Sequence, residues 1–273
     1  MTIKKICVIL VNYQNSQLSI DCCESLLAQQ NDSMELTLII VDNNSSESEV
    51  ELLRVYEKKN NNVCVVYSSK NLGYFPGMKV GQEKAYSLGE YDYMILSNND
   101  TLYDESFLAL LLGKNYPLNT MVVSPDIITI DGKHQNPLFI KRISRIRKFL
   151  YHIYFSNWYV SQIINYIQLK LGASRRAKDK EGWDKEQIIY IGFGACLILT
   201  KLFMDKVRFV DDRSFLMGEE QLLMIQVEKA GGCFYYYPNM KVRHLDSATF
   251  KKMPSRFSFE CMKAGYKLYK DYI

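Results

Sequence analysis

Unbroken apolar runs alternating with stretches of helical length constrain the first half of this chain more than any other feature. Residues 6–11, 36–41, 63–67, 94–97 and 121–124 are short, rich in Val and Ile, and lack the polar alternation of a half-exposed strand. Strands buried on both faces read this way. Between them, 18–30, 49–59, 78–88 and 105–114 are long enough to cross over as helices. Ser46-Glu47-Ser48-Glu49 has the spacing of a capping box at the start of the second one. This order predicts an α/β fold with right-handed crossovers and a mostly parallel central sheet flanked by helices. Ligands then bind at the carboxyl ends of the strands.

The second half changes character. Strands are expected at 188–191, 196–200 and 233–237, a helix at 220–230 and a surface helix at 256–272. Before them lies a basic, aromatic stretch. Residues 133–180 hold eleven Lys or Arg against one acid, Asp179, a local charge of +10 that leaves −6 on the remainder. Such asymmetry implies an anionic partner met locally rather than general nucleic-acid binding. Lys141, Arg142, Arg145, Arg147 and Lys148 precede Phe149, Leu150, Tyr151, Ile153, Tyr154, Phe155, Trp158 and Tyr159, and Arg175, Arg176, Lys178 and Lys180 close the stretch. Aromatic residues flanked by cations suit the headgroup boundary of an anionic membrane. The other reading is a helical hairpin whose aromatics pack on the rest of the fold while its charges are solvated.

With 48% apolar residues among 273, the chain can bury a core without covalent staples. Its seven cysteines (Cys7, Cys22, Cys23, Cys64, Cys196, Cys233 and Cys261) are odd in number and have no C-x-x-C spacing. Free thiols in a reducing compartment are expected, with no disulfide or zinc site. The apolar run after the basic opening is too short for a secretory signal, and no stretch reaches about 18 apolar residues. A cytoplasmic protein, peripheral at the inner face of the plasma membrane, is the expectation.

The strand ends carry the chemistry. The first releases Asn12-Tyr13, the second Asp42-Asn43-Asn44-Ser45, and the fourth Asn98-Asn99-Asp100-Thr101. Asp42 has the chemistry to accept a base N–H, Tyr13 to stack on a ring, and Asp100 to hold a divalent cation through a hard oxygen. The same residue types also make turns and helix caps. Other chemistries are excluded by pattern. There is no phosphate-binding G-x-x-x-x-G-K-S/T loop, and Gly192-Phe193-Gly194 does not extend to a dinucleotide fingerprint. His134, His152 and His244 lie too far apart for an H-x-x-x-H zinc pair. No G-x-S-x-G elbow occurs.

Taken in order, Val11-Asn12-Tyr13, Val41-Asp42-Asn43-Asn44-Ser45, Asn71-Leu72-Gly73 with Gly77 and Gly81, Asn98-Asn99-Asp100-Thr101, Gly194-Ala195-Cys196-Leu197-Ile198, Phe215-Leu216-Met217-Gly218-Glu219-Glu220, Ala230-Gly231-Gly232, and the block from Pro238 to His244 resemble a family 2 glycosyltransferase. The likeness is to the bacterial rhamnosyltransferase-like kind that builds surface or capsular polysaccharide. Residues 133–187 fall outside the matching blocks. The resemblance implies a GT-A fold in one domain, 1–273. Residues 1–101 form the nucleotide-sugar-binding half, 102–250 the acceptor half with the insertion 133–187, and 251–273 a C-terminal helix. It also implies roles. Val11, Asn12, Tyr13 and Asp42 face the base and ribose, and Asn71 and Lys79 line the diphosphate side, with Lys79 standing where Asn is usual. Asn98-Asn99-Asp100 is a reduced Asp-x-Asp motif, with Asp100 and His244 as ligands of Mn2+ or Mg2+. Glu219-Glu220 occupies the Glu-Asp position, whose second carboxylate is the general base.

The implied activity is an inverting, metal-dependent transfer from a UDP- or dTDP-sugar to a hydroxyl of a lipid-linked oligosaccharide. Glu220 departs from the usual Asp, lengthening that arm by roughly 1.5 Å. Either the local backbone compensates, or Glu219 takes the role, or the acceptor sits further out. Two rivals share some features. A sugar-nucleotide nucleotidyltransferase would carry a Gly-rich basic signature after the first strand, where Gln14-Asn15-Ser16-Gln17 stands. The other rival is a catalytically impaired partner in a polysaccharide-assembly complex.

Overall fold

A computed structural model describes residues 3–170, 180–245 and 255–273. Arg175, Arg176 and Lys178 of the second basic group lie outside the described residues. The first half alternates as its sequence pattern requires: β1 (Lys4–Asn12), α1 (Ser16–Leu27), β2 (Met34–Asp42), α2 (Glu47–Lys59), β3 (Val63–Tyr67), α3 (Tyr74–Leu88) and β4 (Tyr93–Asn98). These strands pair in parallel in the order β3-β2-β1-β4. Alternate residues of one strand enter opposite layers. Cys7, Ile9, Ile39 and Leu96 pack on one face of the sheet, and Ile6, Val8, Leu10, Ile40 and Ile95 on the other. Each fully buried aliphatic side chain of this kind stabilises the fold by about 1.5–3 kcal/mol.

The second half continues as β5 (Thr101–Tyr103), α4 (Phe107–Gly113), β6 (Thr120–Thr129), α5 (Arg145–Tyr154), α6 (Trp158–Lys170), β7 (Gln187–Ile189), β8 (Cys196–Thr200), α7 (Lys201–Lys206), α8 (Glu219–Lys229), β9 (Cys233–His244) and α9 (Ser255–Tyr269). Here the parallel pattern gives way. Strand β8 lies antiparallel between β4 and β6, and β9 runs parallel to β6 but antiparallel to β5 and β7. The whole sheet is therefore mixed. Strand β9 runs well past 237. Its pairing with β6 shifts register between Pro125 and Asp126, opposite the segment that contains Pro238. Proline has no N–H for the ladder and is tolerated at such an irregularity. Beyond it, residues 241–244 pair again and carry the strand on to His244.

One local expectation changes. The capping box does not close, because Glu49 turns to α1, where its Oε2 accepts the Ser16 N–H at 2.7 Å. The side chain of Ser46 caps no backbone group. Glu49 thereby satisfies an otherwise orphaned donor at the start of the neighbouring helix. The C-terminal helix lies at the surface with one face packed inward, and Arg256, Phe257, Glu260 and Lys267 stay exposed. It buries Phe259, Tyr266 and Tyr269, and Ile273 beyond it is 1% exposed. All seven cysteines are free thiols.

The seat of α9 depends on Gly265. A Cβ there would lie 2.2 Å from the Met217 carbonyl oxygen, immediately before α8. Gly265→Ala must push α9 away from α8 and is expected to cost about 1–3 kcal/mol in urea unfolding. Gly113→Ala, where a Cβ meets nothing within 4 Å, serves as the neutral control. Equal stability of the two variants would show that α9 is not wedged against Met217.

Candidate active site

The ends of β1, β2 and β4 stop in register: Val11 pairs with Val41 and Asn98, and Asn12 with Asp42. Left-handed backbone at Gln14 (φ 60°) and Asn44 (φ 65°) turns the chain at two of these ends. Asn12 is fully buried. Its Nδ2 donates to Asp42 Oδ1 at 2.8 Å and reaches Ser45 Oγ and Ser16 Oγ at 3.2 Å. Its Oδ1 accepts from Ser19 Oγ at 2.8 Å and from Asn99 Nδ2 at 3.4 Å. The second carboxylate oxygen of Asp42 accepts the Ser45 N–H at 3.0 Å. Asp42 is therefore fixed and buried, whereas Tyr13 beside it is 40% exposed. The Val11 side chain faces α3, where a Cβ on Gly77 would come within 2.9 Å of it.

A second edge of the site comes from the loop before α3. Asn71 Oδ1 accepts the Gly73 N–H at 2.9 Å. Gly73 (φ 92°) lies so close to the 211–218 loop that a Cβ would stand 2.1 Å from the Phe215 carbonyl oxygen. That oxygen instead accepts the Tyr74 N–H at 2.9 Å. Lys79, one helical turn on, pairs with Asp212 of the same loop at 2.9 Å. The Asp212 hydrogen bond raises the ammonium above its ordinary pKa.

Asp100 and His244 meet because β5 and β9 pair. Thr101 is opposite His244, and the Leu245 N–H donates to the Asp100 carbonyl. His244 Nδ1 lies 2.8 Å from Gln135 Oε1. An amide oxygen only accepts, so Nδ1 carries a hydrogen and the ring is turned with Nε2 toward Asp100. Nε2 stands 3.3 Å from Asp100 Oδ1, with the Asn98 amide 3.4 Å away. Two such atoms held that close call for a proton or a cation between them. Carboxylate oxygen plus imidazole nitrogen, with the imidazole oriented by a second residue, fits a divalent transition metal. Among the described residues no group of three or more His, Cys, Asp or Glu has metal-binding geometry.

The acidic pair opens α8. Left-handed Met217 (φ 69°) and Gly218 (φ 96°) set the turn, and Glu219 and Glu220 occupy the first helical positions. Glu219 is 6% exposed, and burial together with the neighbouring Glu220 pushes its pKa up to about 8. Burial raises Glu220 above the usual carboxylate range as well. Glu220 Oε1 accepts the Gly194 N–H at 3.1 Å. The adjoining Ala195 carbonyl accepts the Asn98 N–H at 2.9 Å, and Tyr74 Oη donates to the Gly194 carbonyl at 2.9 Å. The Gly194-Ala195 segment thus joins Glu220 to the end of β4 and to α3.

The structure gathers Asp42, Tyr13, Asn98, Asp100 and His244 along the strand ends and links Glu220 to them through that segment. Asn12 and Asn99 are turned into the fold. Asn99 Nδ2 lies 3.1 Å from Ser19 Oγ. Gln135 was not among the expected site residues: it is one of several polar residues at the start of the basic stretch, and no local pattern distinguishes it.

The family model described as "Glycosyl transferase family 2" matches residues 7–169, running through most of the basic hairpin. The chain belongs to glycosyltransferase family 2. A poly(ribitol-phosphate) beta-glucosyltransferase of Bacillus spizizenii is 29% identical over 148 aligned residues, covering 47% of this chain and 23% of that one. GalNAc-T7, solved with UDP, GalNAc and Mn2+, superposes at TM-score 0.60 with 13% identity over 89% of this chain and 44% of its own. S. aureus TarS 1-349 gives 0.58 with 11% identity over 88% and 60%. The mannosyltransferase PcManGT from Pyrobaculum calidifontis, solved with GDP-Man and Mn2+, gives 0.59 with 11% identity over 99% and 64%. The chain spans less than a quarter of the curated relative and under two thirds of these solved chains. At these identities the structures establish the GT-A fold.

The raised pKa of Glu219 makes the protein's stability pH-dependent. Between about pH 4.5 and 8 the folded protein retains a proton that the unfolded chain releases, so stability falls as pH rises through this window. Glu219→Gln removes that slope. Its melting temperature should match wild type near the bottom of the window and exceed it by several degrees above the top. Parallel melting profiles for the two proteins would contradict the assignment.

Proposed function

We propose that this family member is an inverting, metal-dependent glycosyltransferase. It moves a sugar from a UDP- or dTDP-sugar to a hydroxyl of a lipid-linked oligosaccharide in surface polysaccharide synthesis, at an anionic membrane surface. The observation that carries the reading is the convergence of the Asp100 carboxylate and His244 Nε2 at 3.3 Å, with Gln135 fixing the imidazole. Those two residues would hold Mn2+ or Mg2+, which supplies charge neutralisation of the leaving diphosphate. The division into a donor half (1–101) and an acceptor half (102–250) belongs to the same reading.

On the donor side, Tyr13 offers a ring face and Asp42 a fixed carboxylate to the base. Asn12 acts through Asp42 by holding it in place. Asn98 lies toward the ribose, and Asn71 and Lys79 flank the diphosphate. In the acidic pair the roles separate by environment. Glu219 keeps its proton at neutral pH, whereas at Glu220 the Gly194 N–H works against the burial that raises its pKa. Glu220 therefore takes the acceptor proton as the hydroxyl attacks. Its longer arm is accommodated because residue 194 is glycine: a Cβ there would stand 2.8 Å from Glu220 Oε1.

Thermal shift with UDP, dTDP and GDP, each with and without Mn2+, tests donor class and metal together. Asp100→Ala should lose the Mn2+-dependent part of the shift while keeping its fold. Gln135→Leu should weaken it about 10–100-fold in metal concentration. Full activity of Asp100→Ala in the presence of chelator would displace the metal site.

Glu220→Gln should bind donor normally and lose about 10²–10⁴ in turnover. Wild-type turnover in Glu220→Gln, with the loss found in Glu219→Gln instead, would move the base one residue back.

A further inference from the structure

The α5–α6 hairpin has two faces of different fate. Its inward residues bind it to the catalytic body. Phe155 stacks on Tyr266 at 4.8 Å, Trp158 packs edge-on against Phe259 at 5.4 Å, and the Tyr154 hydroxyl meets Asn165 across the two helices. The outward residues have no such cover. On α5, Ile146, Phe149 and Leu150 are exposed at spacings of three and four; on α6, Tyr159, Ile163, Tyr166 and Ile167 repeat the same stripe. Ile146 is 76% and Phe149 64% exposed. Large apolar side chains at helical spacing on the solvent side mark a surface that meets something other than water.

Charge selects the occupant. No Asp or Glu occurs between Asp131 and Asp179. Arg142 is spent on Glu228 at 2.7 Å, and Arg147 lies over the Phe139 and Tyr151 rings. Lys141 and Arg145 remain exposed at the start of the hairpin, and Lys170 ends it. A second copy of this face would bring like charges together. An anionic lipid surface complements the cations and accepts the apolar stripe at the same time. Among the described residues no helix is long and apolar enough to cross a membrane, so the contact is interfacial.

We propose that the outward face of α5–α6 is the surface by which the enzyme docks on anionic membrane, with the stripe of Ile146, Phe149, Leu150, Tyr159, Ile163 and Ile167 entering the headgroup boundary. The inference deepens the membrane part of the proposed function and rests on it for its purpose, while its geometry is independent of donor or metal.

Flotation of the whole chain with vesicles of phosphatidylcholine and phosphatidylglycerol, against phosphatidylcholine alone, tests it. Binding to the anionic vesicles that weakens with salt is expected. Phe149→Asp combined with Ile163→Asp and Ile167→Asp, and separately Lys141→Glu with Arg145→Glu, should each reduce binding about tenfold. All five positions are exposed, so melting temperature and nucleotide release with a soluble acceptor should stay at wild-type values. Absence of vesicle binding at low salt, equal binding to neutral vesicles, or unchanged binding of both variants would overturn the proposal. So would conversion of a dimer to a monomer by the aspartate variant, which would make the face an interface between copies. Vesicle binding without sugar transfer would leave the docking surface standing and remove the enzymatic reading; transfer without vesicle binding would do the reverse.

Discussion

The amide of Asn12 holds the strand-end side of the candidate site together. It lies at the end of the central parallel strand, fully buried, and bonds to β2 through Asp42, to the following turn through Ser45, to α1 through Ser16 and Ser19, and to the β4 turn through Asn99. A buried amide is stabilising only when its donors and acceptor are all used, since each unmet group costs about 1–3 kcal/mol. That condition forces three strand ends and one helix start to arrive at the same place. Asp42 consequently presents a carboxylate whose orientation is set before any ligand enters. The exposed Tyr13 is the next residue along β1, so the rigid and the accessible parts of the site are adjacent in sequence.

The opposite side of the cleft is built by close backbone approach. Gly73 meets the Phe215 carbonyl, Gly194 meets the Glu220 carboxylate, and Gly265 meets the Met217 carbonyl. Each contact excludes a Cβ, and together they clamp α3, the 192–195 segment and α9 around the loop that leads into α8. Met217 and Gly218 adopt left-handed backbone within this clamp. A non-glycine residue in that region persists where its surroundings over-determine it, as they do here on three sides. The buried glutamate pair is thus carried by a strained turn between fixed elements. Its raised pKa values follow from burial and, for Glu219, from the neighbouring Glu220 carboxylate.

The parallel half of the fold was legible because one local signal, a Val/Ile run buried on both faces, coincides with one structural role. Strands 63–67 and 196–200 even end where their apolar runs end. The antiparallel pairings were not legible, because β8 reads like any other buried run and nothing within it states the direction of its neighbours. The length of β9 was hidden by Pro238, which marks a strand end in isolation and a register shift in context. Glu49 failed as a cap because a tertiary donor, the Ser16 N–H, lay within its reach. The tail was legible as a surface helix because its aromatics, spaced among charged residues, make one inward face. Gln135 left no trace, since its role exists only once β9 delivers His244 to it.

That last case shows how the site depends on the whole sheet. Asp100 comes from the turn after β4, His244 from the far end of β9, and Gln135 from the segment following β6. Strand β5, three residues long, is what brings the first two together, because pairing Thr101 with His244 leaves Asp100 beside the imidazole. The register of β9 on β6 then places Gln135, whose N–H bonds to the Ile127 carbonyl, against Nδ1. A slip of one residue in either pairing would turn His244 to the other face of the sheet. The direction of Nε2 is therefore fixed by strand register, so the irregularity at Pro125–Asp126 is as much a part of the site as the residues that meet there.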